Sequence, residues 1–133
     1  APAAAAQGYC PDVILTPDDV AAGRPAPLMI YANALRLGVW PLGRLVKVGD
    51  TPSDIAEGRN AGVWTIGVAL TGNSLGLTEP EIRRLPAGDR SACFSAARSA
   101  LFAAGAHEVI DVMPDLPDAL SRIARHLGEG RRP

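Results

Sequence analysis

Short apolar runs alternate along this chain with longer amphipathic stretches, and glycine or proline stands at nearly every junction. Strands are expected at residues 12–15 (DVIL), 44–50 (RLVKVGD), 63–69 (VWTIGVA) and 107–111 (HEVID). The second of these is nearly continuous in apolar character, as in a parallel sheet covered on both faces. Helices are expected between them. The first described by the pattern is an alanine-rich stretch over residues 1–7, closed by Gly8. Residues 27–37 follow, with Pro27 in the first turn and Gly38 as the stop. The next runs from Pro52 to about Ala61, capped by Asp50 or Thr51 and stopped by Gly62. Thr78 and Glu81 have the spacing of a capping box for a short helix, EPEIRRL. Residues 90–104 and 115–127 complete the set.

Strand and helix in alternation predict an α/β fold with a parallel sheet and right-handed crossovers. Four strands make a thin sheet, and the opening helix looks like the end of a longer one. The expected fold is therefore a partial doubly wound parallel sheet, with residues 1–127 as the C-terminal part of a larger core domain. Residues 128–133 (GEGRRP) are expected to be a disordered tail.

Composition narrows the function classes. The chain has 133 residues, is 47% hydrophobic and 20% charged, and carries a net charge of −1. That balance argues against nucleic acid or an anionic membrane surface as a partner. No apolar run approaches the roughly 18 residues of a membrane span. Cys10 and Cys93 lie far apart without a CxxC pair, which favours reduced thiols and a cytoplasmic setting. Both are expected to be inert, with no adjacent base.

The chemistry concentrates in LVKVGDTPSDIAEGRNAGVWTIGV. Asp50 ends a buried strand, where ligands of open α/β sheets bind. Asp54 lies one helical turn on and can face the same crevice. Two carboxylates beside a helix N-terminus suit Mg2+, which takes a few carboxylates, waters and a substrate phosphate. The alternative is a plain N-cap and a solvated first-turn acid. Gly49, permitting close backbone approach, favours the site.

This segment resembles the fourth motif of haloacid-dehalogenase-type phosphohydrolases. Together with GYCPDVILTPDDVAAGRPAPLMIY, TGNSLGLTEPE and LFAAGAHEVIDVMPDLP, it is similar more closely to the phosphonoacetaldehyde hydrolase family. The resemblance runs from Gly8 to about Leu127. It implies a haloacid-dehalogenase-like Rossmannoid core, Mg2+ as cofactor, a small phosphonate substrate and a homodimer. It also implies a reaction: cleavage of the C–P bond of phosphonoacetaldehyde to acetaldehyde and phosphate, through a lysine Schiff base and an aspartyl-phosphate. Asp50 matches the metal-binding acid and Asp54 the second acid of the metal site, so both are candidate ligands and Asp54 is a candidate catalytic residue too. Arg24, in GRPAP, matches the basic residue that offsets charge on the nucleophile and the phosphoryl oxygens, and is the other candidate catalytic residue.

The family's nucleophile segment, D-x-x-G-T, its cap lysine and its Ser/Thr phosphate motif have no counterpart in these residues. The chain alone is accordingly expected to be inactive. Lys47 alternates onto the strand face opposite Asp50, so it is not expected to be the Schiff-base lysine. His107 and His126 lack metal-ligand spacing, Trp64 reads as core, and residues 73–77 could border the crevice. Two other readings stay open: a phosphate-monoester phosphatase of the same superfamily, and a non-catalytic module binding Mg2+ or phosphate.

Overall fold

The computed structural model describes residue 6, residues 8–70 and residues 76–133. The helix expected over residues 1–7 and most of the loop at 73–77 lie outside the described residues. Three parallel strands, β1 (Val46–Gly49), β2 (Trp64–Val68) and β3 (Glu108–Ile110), form one sheet in the order β1-β2-β3. The register pairs Val46 with Trp64, Gly49 with Gly67, and Val68 with Ile110.

Five helices accompany the sheet among the described residues: α1 (Leu28–Leu37), α2 (Pro52–Ala61), α3 (Glu79–Arg84), α4 (Ala87–Ala103) and α5 (Leu116–Gly128). Gly38 and Gly62 end α1 and α2 in the left-handed conformation, φ 64° and 72°, which a glycine adopts without steric cost. Thr78 N–H donates to Glu81 Oε2 at 2.7 Å, so the capping box forms at α3. Helix α4 starts at Ala87 rather than Arg90, because Pro86 stands at its N-cap and Asp89 favours the positive end of the dipole.

Alternation along β2 builds two cores. Trp64, Ile66 and Val68 pack with Ile110 and with Ala119 and Ile123 of α5. On the other face Ile55 of α2, Ala97 and Leu101 of α4, Ala69 and Ala106 close together. The sheet is thus a middle layer between helices, and all five residues of β2 are buried. Among the described residues no helix is long and apolar enough to cross a membrane.

The strand expected at residues 12–15 does not form. Val13 and Leu15 are half-buried and Ile14 is 59% exposed, so the segment runs extended without a ladder partner. Leu15 lines a cavity of about 470 Å³ together with residues 45–48 and with Met29, Ile30 and Ala34 of α1. The sheet has three strands among the described residues, not four. Beyond α5, the N–H of Arg131 donates to His126 O at 3.0 Å.

Candidate phosphoryl and metal site

The site is built where β1 gives way to α2. Thr51, with extended backbone at φ −122°, is the N-cap of α2, and Pro52 occupies its first position. Asp54 N–H donates to Thr51 Oγ1 at 3.2 Å, while Thr51 N–H and Thr51 Oγ1 donate to Asp54 Oδ2 at 3.2 and 2.6 Å. This reciprocal capping turns the Asp54 carboxylate back onto the strand end. Gly49 makes room for it: a Cβ there would stand 2.2 Å from Asp54 Cβ and 2.6 Å from Cγ.

Arg24 arrives from a turn ahead of α1. Ala26 N–H closes that turn on Gly23 O at 3.0 Å, and Asn60 Nδ2 of α2 holds it by donating to Pro25 O at 2.8 Å. Arg24 Nη1 donates to Asp54 Oδ1 at 2.6 Å. Lys47 Nζ lies 3.1 Å from the same oxygen and 2.7 Å from Glu57 Oε2. The Asp54 side chain is 4% exposed and that of Arg24 44% exposed, so a buried carboxylate anchors a guanidinium that reaches solvent. Burial alone would raise the Asp54 pKa, but bonds from Thr51, Arg24 and Lys47 overcome it and hold the group down at about 2. Arg24 is raised above its usual value by the bond to Asp54, with the charges of Glu57 and Asp50 adding to it.

The structure therefore brings Arg24 and Asp54 into direct contact. It leaves Asp50 half-buried just beyond β1, near enough for its charge to act on Arg24. Lys47 keeps its expected strand face and still meets Asp54. It does alternate away from Asp50, but α2 packs over that face and puts Asp54 there as well. Lys47 thus belongs to the site after all. Its ammonium is flanked by two carboxylates, whereas an imine-forming lysine needs a desolvated, unpaired amine. Glu57 and Asn60 were not singled out in the sequence. The stripe Asp54, Glu57, Gly58, Ala61 on one face of α2 was the available signal for Glu57.

Both oxygens of Asp54 already take bonds, Oδ1 from Arg24 and Oδ2 from Thr51. Among the described residues no group of three or more His, Cys, Asp or Glu could hold a metal ion. Asp50, half-buried beside this cluster, is the candidate Mg2+ ligand. One carboxylate fits an ion that keeps several waters and takes its other ligands from phosphate.

The two histidines sit elsewhere. His107 Nδ1 accepts from Thr65 N–H at 3.0 Å, and its ring tilts against Trp64 at 4.9 Å. His126 stacks on Trp64 at 6.0 Å between ring centroids. Trp64 is 4% exposed, as a core side chain should be.

A family model described as HAD-hydrolase-like matches residues 21–85, which contain both Arg24 and the acidic elbow. A phosphonoacetaldehyde hydrolase of Bacillus thuringiensis (strain Al Hakam) is 46% identical over 122 residues, covering 92% of this chain and 46% of the relative. That of Nitratidesulfovibrio vulgaris (strain DSM 19637 / Miyazaki F) is 46% identical over 132 residues, covering 99% and 47%. The crystal structure of a phosphonoacetaldehyde hydrolase-like protein from Oleispira antarctica superimposes with a TM-score of 0.93 at 39% identity, over 98% of this chain and 48% of that one. The chain spans about half the length of the curated relatives it matches. Its sheet, its acidic elbow and these similarities agree: the chain belongs to the haloacid-dehalogenase-like hydrolases and is similar, along most of its length, to phosphonoacetaldehyde hydrolases.

Proposed function

We propose that the intact protein carrying this chain cleaves the C–P bond of phosphonoacetaldehyde, giving acetaldehyde and phosphate. The observation that carries this reading is the 2.6 Å bond between Arg24 Nη1 and Asp54 Oδ1 at the end of β1. It joins the GRPAP and GDTPSD segments, which the sequence separates, into one anion-facing clamp. Asp54 fixes one guanidinium nitrogen, and the exposed remainder of Arg24 is available to phosphoryl oxygens, for which a planar donor fork is well shaped.

Asp50 is the residue that would hold Mg2+, with Asp54 supporting the site rather than ligating directly. When bound, the ion supplies charge to offset that of the phosphoryl oxygens. The helix α2 N-terminus adds its positive dipole end on the same side. The nucleophilic aspartate and imine-forming lysine required by the reaction are assigned to the half of the protein outside this chain, and the chain alone is inactive in this reading.

The test is product analysis. The intact protein, given phosphonoacetaldehyde and Mg2+, should release acetaldehyde and phosphate in equal amounts, and should act far more slowly on phosphate monoesters. Rapid monoester hydrolysis with no acetaldehyde would replace this reading with a phosphatase.

A further inference from the structure

We propose that Lys47 and Glu57 are a positioning pair for the Arg24–Asp54 clamp. The buried Glu57 carboxylate holds the Lys47 ammonium against Asp54, and that contact fixes the oxygen to which Arg24 is anchored. The inference rests on the reading above, in which Arg24 meets the phosphoryl group.

Glu57 is 0% exposed, on a helix whose other charged residue in the same stripe is Asp54. Its Oε2 lies 2.7 Å from Lys47 Nζ, an ion pair by distance, and neither carboxylate oxygen makes a hydrogen bond among the described residues. A buried ion pair that lacks supporting hydrogen bonds contributes little to stability, because desolvation offsets its attraction. Its geometry points to another use. Lys47 Nζ lies between Glu57 Oε2 and Asp54 Oδ1, at 2.7 and 3.1 Å, and Asp54 Oδ1 accepts from Arg24 at 2.6 Å. The four groups form one chain of alternating charge: Glu57, Lys47, Asp54, Arg24.

The backbone sets this chain. A Cβ on Gly58 would stand 2.4 Å from Thr65 Cγ2 and 3.0 Å from Lys47 Cβ, so α2 presses directly on the stem of Lys47. Lys47 is thereby confined over the helix rather than free on its flexible stem. Its charge also answers Glu57, whose charge is close enough to act on Arg24 as well. Without Lys47, two buried carboxylates would compete for Arg24 and draw it inward, away from a ligand at the surface.

Three variants of the intact protein separate positioning from support: Lys47→Met, Lys47→Arg, and the double variant Lys47→Met/Glu57→Gln. Each is read by thermal midpoint, by KM and kcat for phosphonoacetaldehyde, and by calorimetric affinity for inorganic phosphate. Lys47→Met should lower kcat/KM about 100-fold, the scale of a clamp displaced by about 1 Å, and weaken phosphate binding with it. Lys47→Arg should restore most of both. The double variant removes the buried unpaired carboxylate, so it should regain the midpoint while KM and phosphate affinity stay impaired. Recovery of KM and phosphate affinity along with the midpoint would overturn the proposal, making the pair a structural one. So would unchanged phosphate affinity in Lys47→Met. If the wild-type protein binds phosphate but releases no acetaldehyde, the hydrolase reading fails and the phosphate measurements alone decide the pair. A wild-type protein that binds no phosphate overturns both.

Discussion

Replacing Gly49 by alanine tests the close approach on which the site depends. The added methyl would stand 2.2 Å from Asp54 Cβ and 2.6 Å from its Cγ, less than any ordinary carbon contact. The obstacle is the root of a side chain held by Thr51, Arg24 and Lys47, so it cannot swing aside. Overpacking of this kind costs about 1–3 kcal/mol. Displacing Asp54 also weakens a charge-assisted bond worth about 1.5–3 kcal/mol. The loss of glycine's freedom in the unfolded chain returns about 0.4–1 kcal/mol. The net is a destabilisation of about 1.5–5.5 kcal/mol, which lowers the thermal midpoint by several degrees. Urea and thermal unfolding of the intact protein measure it, with Gly88→Ala as the control. A Cβ at Gly88 meets nothing within 4 Å, and that variant should be neutral or slightly more stable. A Gly49→Ala protein as stable as wild type would refute the reasoning, because α2 would then be free to lift off β1.

Other expectations follow from the same contacts. His107 is depressed below its ordinary 6.5 by burial first and by Arg59 second. The unfolded chain therefore binds a proton more readily than the folded one, so this residue's stability is full above pH 6.5 and is lost as pH falls through the folded pKa. The midpoint should decline on that acidic side, and His107→Gln should flatten the decline. Arg24→Lys keeps the charge but loses the fork; phosphate affinity should drop about 10–100-fold, the worth of one charge-assisted bond, with little change in midpoint. Thr51→Ala removes the α2 cap and a partner of Asp54 and should cost about 1 kcal/mol or somewhat more in urea unfolding, whereas Thr51→Ser should cost much less.

Sequence reading located the elements whose signals are local. The β2 run was legible because every position is buried, and α2 because Thr51, Pro52 and Gly62 mark its ends in one contiguous stretch. The segment at residues 12–15 has the composition of a strand, but a strand also needs a partner, and pairing is not written in four residues. Lys47 shows the same limit. Alternation placed it on the correct face, yet nothing local said that α2 would cover that face and bring Asp54 to it. Glu57 read as an ordinary helical acid because its burial depends on Gly58, which lets α2 sit against Thr65 and the Lys47 stem. Arg24 was reachable only through resemblance, since the turn that aims it is held by Asn60 from the far side of α2.

In the proposed reading, Mg2+ and the phosphoryl group meet at the end of β1. Acetaldehyde release by the intact protein, titrated with Mg2+ and compared with its Asp50→Asn variant, tests that most directly. The wild type should show Mg2+-dependent turnover and the variant a fall of about 100-fold or more that added Mg2+ does not restore, with the thermal midpoint little changed. Equal turnover by the two proteins at the same Mg2+ concentration would contradict that reading.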